Sequence, residues 1–223
     1  MKVGEKDVKD ILINENSALK VYKGEVLVWN NGELPDEYQK IEYIESTGTQ
    51  YIDTGYIPNQ NTGYYIDFIP LEPIGTNDAK QYVNAGGRST SNNRVVLGAY
   101  KQYDGGDFVF HTFKTNPKLV QNVRTEFEVK NKKIYFDDGT ITSINVSNFT
   151  SPNTLILFGA NGNPVERIAK ARLYSFKLYN ADDTIKELIP AKNSNDVVGL
   201  YDIINNVFFT NDGTGSFIAG PDV

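Results

Sequence analysis

Glu42 and Glu45 stand three residues apart, flanking Tyr43-Ile44, and are the closest thing in the chain to a catalytic carboxylate pair. Glycoside hydrolysis needs two carboxylates placed about one sugar bond. Residues three apart on a strand point to opposite faces, so this pair is not expected to share a substrate. The Glu-x-Asp-x-x-Glu string that sandwich-type hydrolases carry on one strand does not occur. Asp137-Asp138-Gly139 has the composition of a plain hairpin turn. The single histidine, His111, lies in Phe108-Val109-Phe110-His111-Thr112-Phe113, where it reads as a half-buried packing residue. With one histidine and no cysteine, a zinc site would need carboxylates for every other ligand, and thiol chemistry is excluded. The chain is therefore read as not an enzyme.

Binding needs less machinery than turnover. A sugar is held by an aromatic face against its C–H surface and by amide or carboxylate groups on its hydroxyls. Tyr100 and Tyr103, beside Asp104-Gly105-Gly106-Asp107 and with Arg88, Asn92 and Asn93 upstream, offer that mixture in turn-rich sequence. The bland alternative is that tyrosines beside turns are ordinary in a chain with 14 of them. No cofactor is required. Calcium is the metal to consider, because the oxygen-rich turns at Asp104–Asp107 and Asn211-Asp212-Gly213 could supply some of its ligands, although neither follows an EF-hand string.

These residues must be held by strands. Val123, Thr125, Phe127 and Val129 alternate with Arg124, Glu126, Glu128 and Lys130, the period-two pattern of a strand with one buried and one wet face. Asn131-Lys132 can turn that strand into Lys133–Phe136, and Asp138-Gly139 can turn it again into Thr140–Ile144. Similar short runs recur along the chain, including Tyr64–Ile69, Ala171–Tyr179 and Thr184–Ile189, separated by turns such as Asn59-Gln60-Asn61-Thr62-Gly63. Only Pro164–Ile168 could start a helical turn. The pattern predicts an all-β, antiparallel β-sandwich.

The first thirty residues differ. Val8–Ile13 and Leu19–Gly24 read as two copies of one strand, followed by Val26-Leu27-Val28-Trp29. So small a unit cannot stand alone. It is expected to dock on the main domain, a second subunit or a partner, with Val21, Tyr22, Val26, Val28 and Trp29 as the assembly surface. Trp29 serves equally as a core anchor or an interface anchor. The boundaries read as 1–30 for this segment, 31–37 for a linker and 38–223 for the main domain.

Charge narrows the partners. With 22 basic against 28 acidic residues, the chain carries no electrostatic footprint for nucleic acid or anionic lipid. Charges spread through the first ten residues exclude the apolar core of a signal peptide, and no apolar run approaches a bilayer span.

From Leu34 onward, about 190 residues resemble a known family. The opening run from Leu34 to Tyr56 contains Glu42-Tyr43-Ile44-Glu45-Ser46-Thr47-Gly48-Thr49-Gln50-Tyr51-Ile52-Asp53-Thr54-Gly55. The close contains Leu188-Ile189-Pro190-Ala191-Lys192, Val198-Gly199-Leu200-Tyr201-Asp202 and Thr214-Gly215-Ser216-Phe217-Ile218-Ala219-Gly220-Pro221. Both are similar to concanavalin A-like, laminin G-like jelly-roll domains of bacteriophage and prophage virion proteins, and Gly220–Val223 resembles that domain's usual end. The segment around Val21–Trp29 is similar to short repeats that precede such domains. The resemblance implies a jelly-roll sandwich on a fibre, baseplate or capsid appendage, commonly a homotrimer, among other virion proteins. It implies attachment to a host surface glycan, or a purely structural decoration or spacer with no ligand. A polysaccharide-degrading enzyme comes last.

Overall fold

The computed structural model describes residues 34–73, 80–85, 95–99, 107–110, 113–135, 139, 141–143, 148–160, 165 and 167–223, together with the backbone of five short strands before residue 31. Every described pairing is antiparallel, and the described residues contain no helix. Near the N-terminus β1 (Lys2–Val3) pairs with β2 (Lys6–Asp7). A separate meander follows, built from β3 (Asp10–Asn14), β4 (Ser17–Lys23) and β5 (Val26–Asn30).

The main domain continues with β6 (Tyr38–Lys40), β7 (Ile44–Thr47), β8 (Ile52–Asp53), β9 (Thr62–Pro70), β10 (Lys80–Ala85), β11 (Val95–Ala99), β12 (Asp107–Phe110) and β13 (Phe113–Lys118). Then come β14 (Thr125–Lys130), β15 (Lys133–Tyr135), β16 (Ile141–Ser143), β17 (Ile156–Leu157), β18 (Lys170–Asn180), β19 (Asp183–Asn193), β20 (Val198–Asp202), β21 (Val207–Phe209) and β22 (Ile218–Ala219). One large sheet has the order β16-β15-β14-β9-β18-β19-β20-β21, with β7 beside β18, β22 beside β7 and β6 beside β19. A smaller sheet has the order β11-β10-β17-β8, and β12 pairs with β13.

Local chemistry explains the meander expected around residues 123–144. Asn131 and Lys132 both take left-handed backbone angles, φ 47° and 58°, which is what a two-residue hairpin turn matched to strand twist demands. The strands it joins are β14 and β15, and β16 pairs next with β15.

The two sheets close over one apolar core. From the large sheet come Tyr64, Ile66 and Phe68 of β9, Phe127 and Val129 of β14, and Leu173, Phe176 and Leu178 of β18. From the smaller sheet come Tyr82, Val83, Val95, Leu97 and Leu157. Tyr64 and Phe176 stack with ring centroids 6.0 Å apart, and Phe68 meets Tyr82 of the other sheet at 4.9 Å. Each large apolar side chain buried this way stabilises the fold by roughly 1.5–3 kcal/mol before entropy is counted. The fold is an all-β antiparallel sandwich.

Burial raises the pKa of Tyr64 and Tyr82 above the ordinary 10.0, because a phenolate inside the sandwich would lose its hydration. The folded state therefore holds these protons more tightly than the unfolded chain. Their contribution to stability is complete below pH 10 and falls as pH rises beyond it. Alkaline titration should show part of the tyrosinate absorbance appearing together with loss of the β circular-dichroism signal. Titration of every tyrosine near pH 10 with the sandwich intact would contradict this burial.

Candidate functional site

The apolar residues of β18 change phase partway along the strand. Ala171 and Leu173 are buried, and so are Phe176 and Leu178, yet simple alternation would put these two pairs on opposite faces. A bulge between Leu173 and Ser175, opposite Asp67 of β9, absorbs the extra residue. With it, Arg172, Tyr174 and Lys177 share the outward face while both apolar pairs face inward. Alternation from Lys177 places Tyr179 on that outward face opposite Gly63, and a second irregularity, against β19, leaves Ile185 of β19 as the extra residue.

Strand register then aligns outward side chains in rows across the large sheet. One row runs Ile141, Tyr135, Glu128, Tyr65, Lys177 and Glu187 over β16, β15, β14, β9, β18 and β19. Next to it, Lys133 partners Lys130 across β15 and β14, and Gly63 partners Tyr179 across β9 and β18. Gly63 is fixed by close approach, since a β-carbon there would collide with the Val129 carbonyl oxygen. Within the first row Lys177 Nζ is 2.9 Å from Glu187 Oε1. Burial and a hydrogen bond to Glu126 raise the Tyr65 pKa, and burial and a hydrogen bond to Glu128 raise that of Tyr179. Lys130 Nζ sits 4.6 Å from the centre of the Tyr179 ring.

At one end of the face four planar groups come together. Arg124 donates from Nε and Nη2 to the two carboxylate oxygens of Asp67, at 2.8 and 2.7 Å. Its guanidinium lies 3.7 Å from the centre of the Tyr174 ring. The Tyr174 and Tyr43 rings are 5.4 Å apart, Arg172 lies 4.7 Å from the Tyr43 ring, and Arg172 Nε donates to Glu45 at 2.6 Å. Hydrogen bonding to their carboxylates raises the pKa of both arginines. Tyr43, Tyr65, Tyr135 and Tyr174 are each half-buried, and the arginine contacts hold the Tyr43 and Tyr174 rings while leaving part of each to solvent.

Glu42 departs from the expectation drawn from strand spacing. It sits in the bend before β7, where alternation does not apply, and its charge acts on Arg124 and Tyr174 of the same outward face. Glu45, on β7, is held in its ion pair with Arg172.

Arg88, Asn92, Asn93, Tyr100, Tyr103 and Asp104 lie outside the described residues, as do His111, Asp137 and Asp138, while Asp107 begins β12 with only its backbone described. Val21 and Tyr22 fall in β4 and Val26, Val28 and Trp29 in β5, where Val21 and Trp29 are register partners. Two side-chain oxygens of the Asn211-Asp212-Gly213 turn are occupied by backbone N–H groups. Asn211 Oδ1 accepts the backbone N–H of Tyr51 and Gly213, and Asp212 Oδ2 accepts that of Asp53 at 2.7 Å. Among the described residues, no group of three or more His, Cys, Asp or Glu could hold a metal ion.

The outward tyrosines, unlike the loop residues, have no turn or motif of their own in the sequence. Their signal is the run Ala171-Arg172-Leu173-Tyr174-Ser175-Phe176-Lys177-Leu178-Tyr179, whose mid-strand phase change marks a bulge and assigns Tyr174 to the wet side.

Removing Arg124 leaves the Asp67 carboxylate, only 8% exposed, without its two-pronged partner. Arg124→Gln should lower stability by about 1–2 kcal/mol, moving the denaturant midpoint with an unchanged m-value. Arg124→Lys should recover only part of the loss, because an ammonium can neither grip both oxygens nor stack flat on Tyr174. Full recovery by lysine would show that charge alone matters there. The chain matches no protein-family model and no curated protein in sequence.

Proposed function

We propose that this protein is a carbohydrate-binding sandwich of the concanavalin A-like, jelly-roll kind, carried on a phage or prophage virion appendage and attaching the particle to a host-surface glycan. The observation that carries the reading is the outward face of the large sheet, where half-buried tyrosines, two of them held by ion-paired arginines, are flanked by carboxylates. Rings in that state present C–H-binding surface at little further cost in entropy. The resemblance of residues 34–223 to virion domains supplies the setting. The reading is binding without turnover, since the ion pairs hold Glu45 and Asp67 as positioned carboxylates rather than as an acid and base about a bond.

The mode needs no calcium, because rings and side-chain carboxylates make the contacts. The loop holding Tyr100, Tyr103 and Asp104 is the competing position for the site. Glycan-array binding by the full chain, in calcium or in chelator, should be equal, should fall at least about tenfold with Tyr65→Ala or Tyr174→Ala, and should survive Tyr103→Ala. Loss only with Tyr103→Ala would move the site to the loop, and an array without hits would favour the spacer reading.

The N-terminal meander supports an assembly role, since three short strands need a partner surface to be stable. Light scattering should find an oligomer, a trimer on the virion reading, that dissociates with Trp29→Ala. A monomer unaffected by that change would remove the assembly role.

A further inference from the structure

We infer that the outward face takes an extended, uncharged oligosaccharide laid across the strands, rather than a single terminal sugar. The inference rests on the carbohydrate-binding reading above and adds length, direction and charge class. Four half-buried tyrosines lie on a diagonal across the strands: Tyr135 on β15 and Tyr65 on β9 in one row, then Tyr174 on β18 at the level of Asp67, and Tyr43 just before β7 beside it. Register sets their spacing. Tyr135 and Tyr65 are both partners of Glu128 and so stand two strand steps apart, about 10 Å at roughly 4.8 Å per step. Tyr174 is one strand further and two to three residues, roughly 8 Å, off that row, and Tyr43 one strand further again, which makes the whole diagonal about 20 Å. One sugar ring covers one tyrosine, so only a chain of several rings reaches from Tyr135 to Tyr43.

The charges along this line select the ligand class. Arg124, Arg172 and Lys177 are each held by a carboxylate of this chain, Asp67, Glu45 and Glu187. Glu126 and Glu128, bonded to the hydroxyls of Tyr65 and Tyr179, stand on the same face. With Lys130, Lys133 and Glu42 of the same face included, a polyanion would meet five cations against six carboxylates, and gains nothing. The second oxygens of Glu45, Glu187, Glu126 and Glu128 suit sugar hydroxyls, which donate. The half-exposed Arg124 side chain offers further N–H donors to ring and hydroxyl oxygens.

Titration calorimetry of the full-length protein against linear glucose, mannose, galactose and N-acetylglucosamine series, from monosaccharide to hexasaccharide, tests the inference, with heparin as the anionic comparison. Affinity for the bound series should rise at least about tenfold from disaccharide to hexasaccharide. Tyr135→Ala and Tyr43→Ala, at the two ends, should each weaken the hexasaccharide several-fold and so flatten the rise of affinity with length, while Tyr135→Phe and Tyr43→Phe, which keep the ring, should bind as the parent does. Equal affinity at every length, insensitivity to both end substitutions, or preference for heparin overturns the extended uncharged ligand while leaving carbohydrate binding intact. Heat from none of these sugars overturns both.

Discussion

The sandwich depends on one strand satisfying two requirements that conflict under simple alternation. β18 pairs with β9 on one side for most of its length, and on the other with β7 and then β19. Its buried pairs, Ala171 with Leu173 and Phe176 with Leu178, are out of phase by one residue. Without the bulge, either Phe176 and Leu178 would face water, losing roughly 1.5–3 kcal/mol each, or Ala171 and Leu173 would leave the core. Burial enforces the irregularity, and the irregularity in turn sends Tyr174 outward to meet Arg124 and Tyr43. The same few residues thus serve core and surface.

The polar face gains little stability from its ion pairs, since exposed pairs contribute little net energy. What they supply is order. Arg124 grips both oxygens of Asp67 and lies on Tyr174, while Arg172 holds Glu45 and lies on Tyr43, so each ring is limited by a partner that is itself limited. Side chains already fixed lose less freedom on meeting another molecule. A face of lysines and glutamates alone would be as soluble and far less defined.

Sequence alternation made the β14, β15 and β16 meander legible, down to its Asn131-Lys132 turn, because each strand buries one face and the turn has a backbone requirement of its own. β10 was less legible. Tyr82 and Val83 are consecutive and both buried, which happens because β10 is irregular between Gln81 and Val83, and that breaks the period-two signal. The outward rows could not be read at all, since the meeting of Tyr65 with Lys177 is set by register between strands distant in sequence. The family-like ends have a different logic. Gln50 accepts from Thr47 and donates to the carbonyl of Thr214, and the buried Asp202 carboxylate accepts the N–H groups of Glu187, Ile204 and Asn205. Such side-chain bonds to backbone prescribe residue identity, which makes those segments recognisable. The outward face demands only polarity and planarity, and is recognisable only once the sheet is assembled.

The two ends of the main domain lie side by side. Val223 N–H donates to Lys40, Ile41 bridges Asp222, Glu42 N–H donates to Pro221 and Gly220 N–H to Tyr43, so the last residues form an antiparallel ladder against the first. Residues 40 and 223 are at the open end of that ladder, and 45 and 218 are further in. Tension between the two ends would load these bonds one after another, as in a zipper, rather than all together in shear. Force entering at residue 40 and leaving through something held on the large sheet takes another route, through β6 into the long β19–β18–β9 ladders, where many bonds share the load. The domain is mechanically weak between its own ends and strong between one end and its outward face.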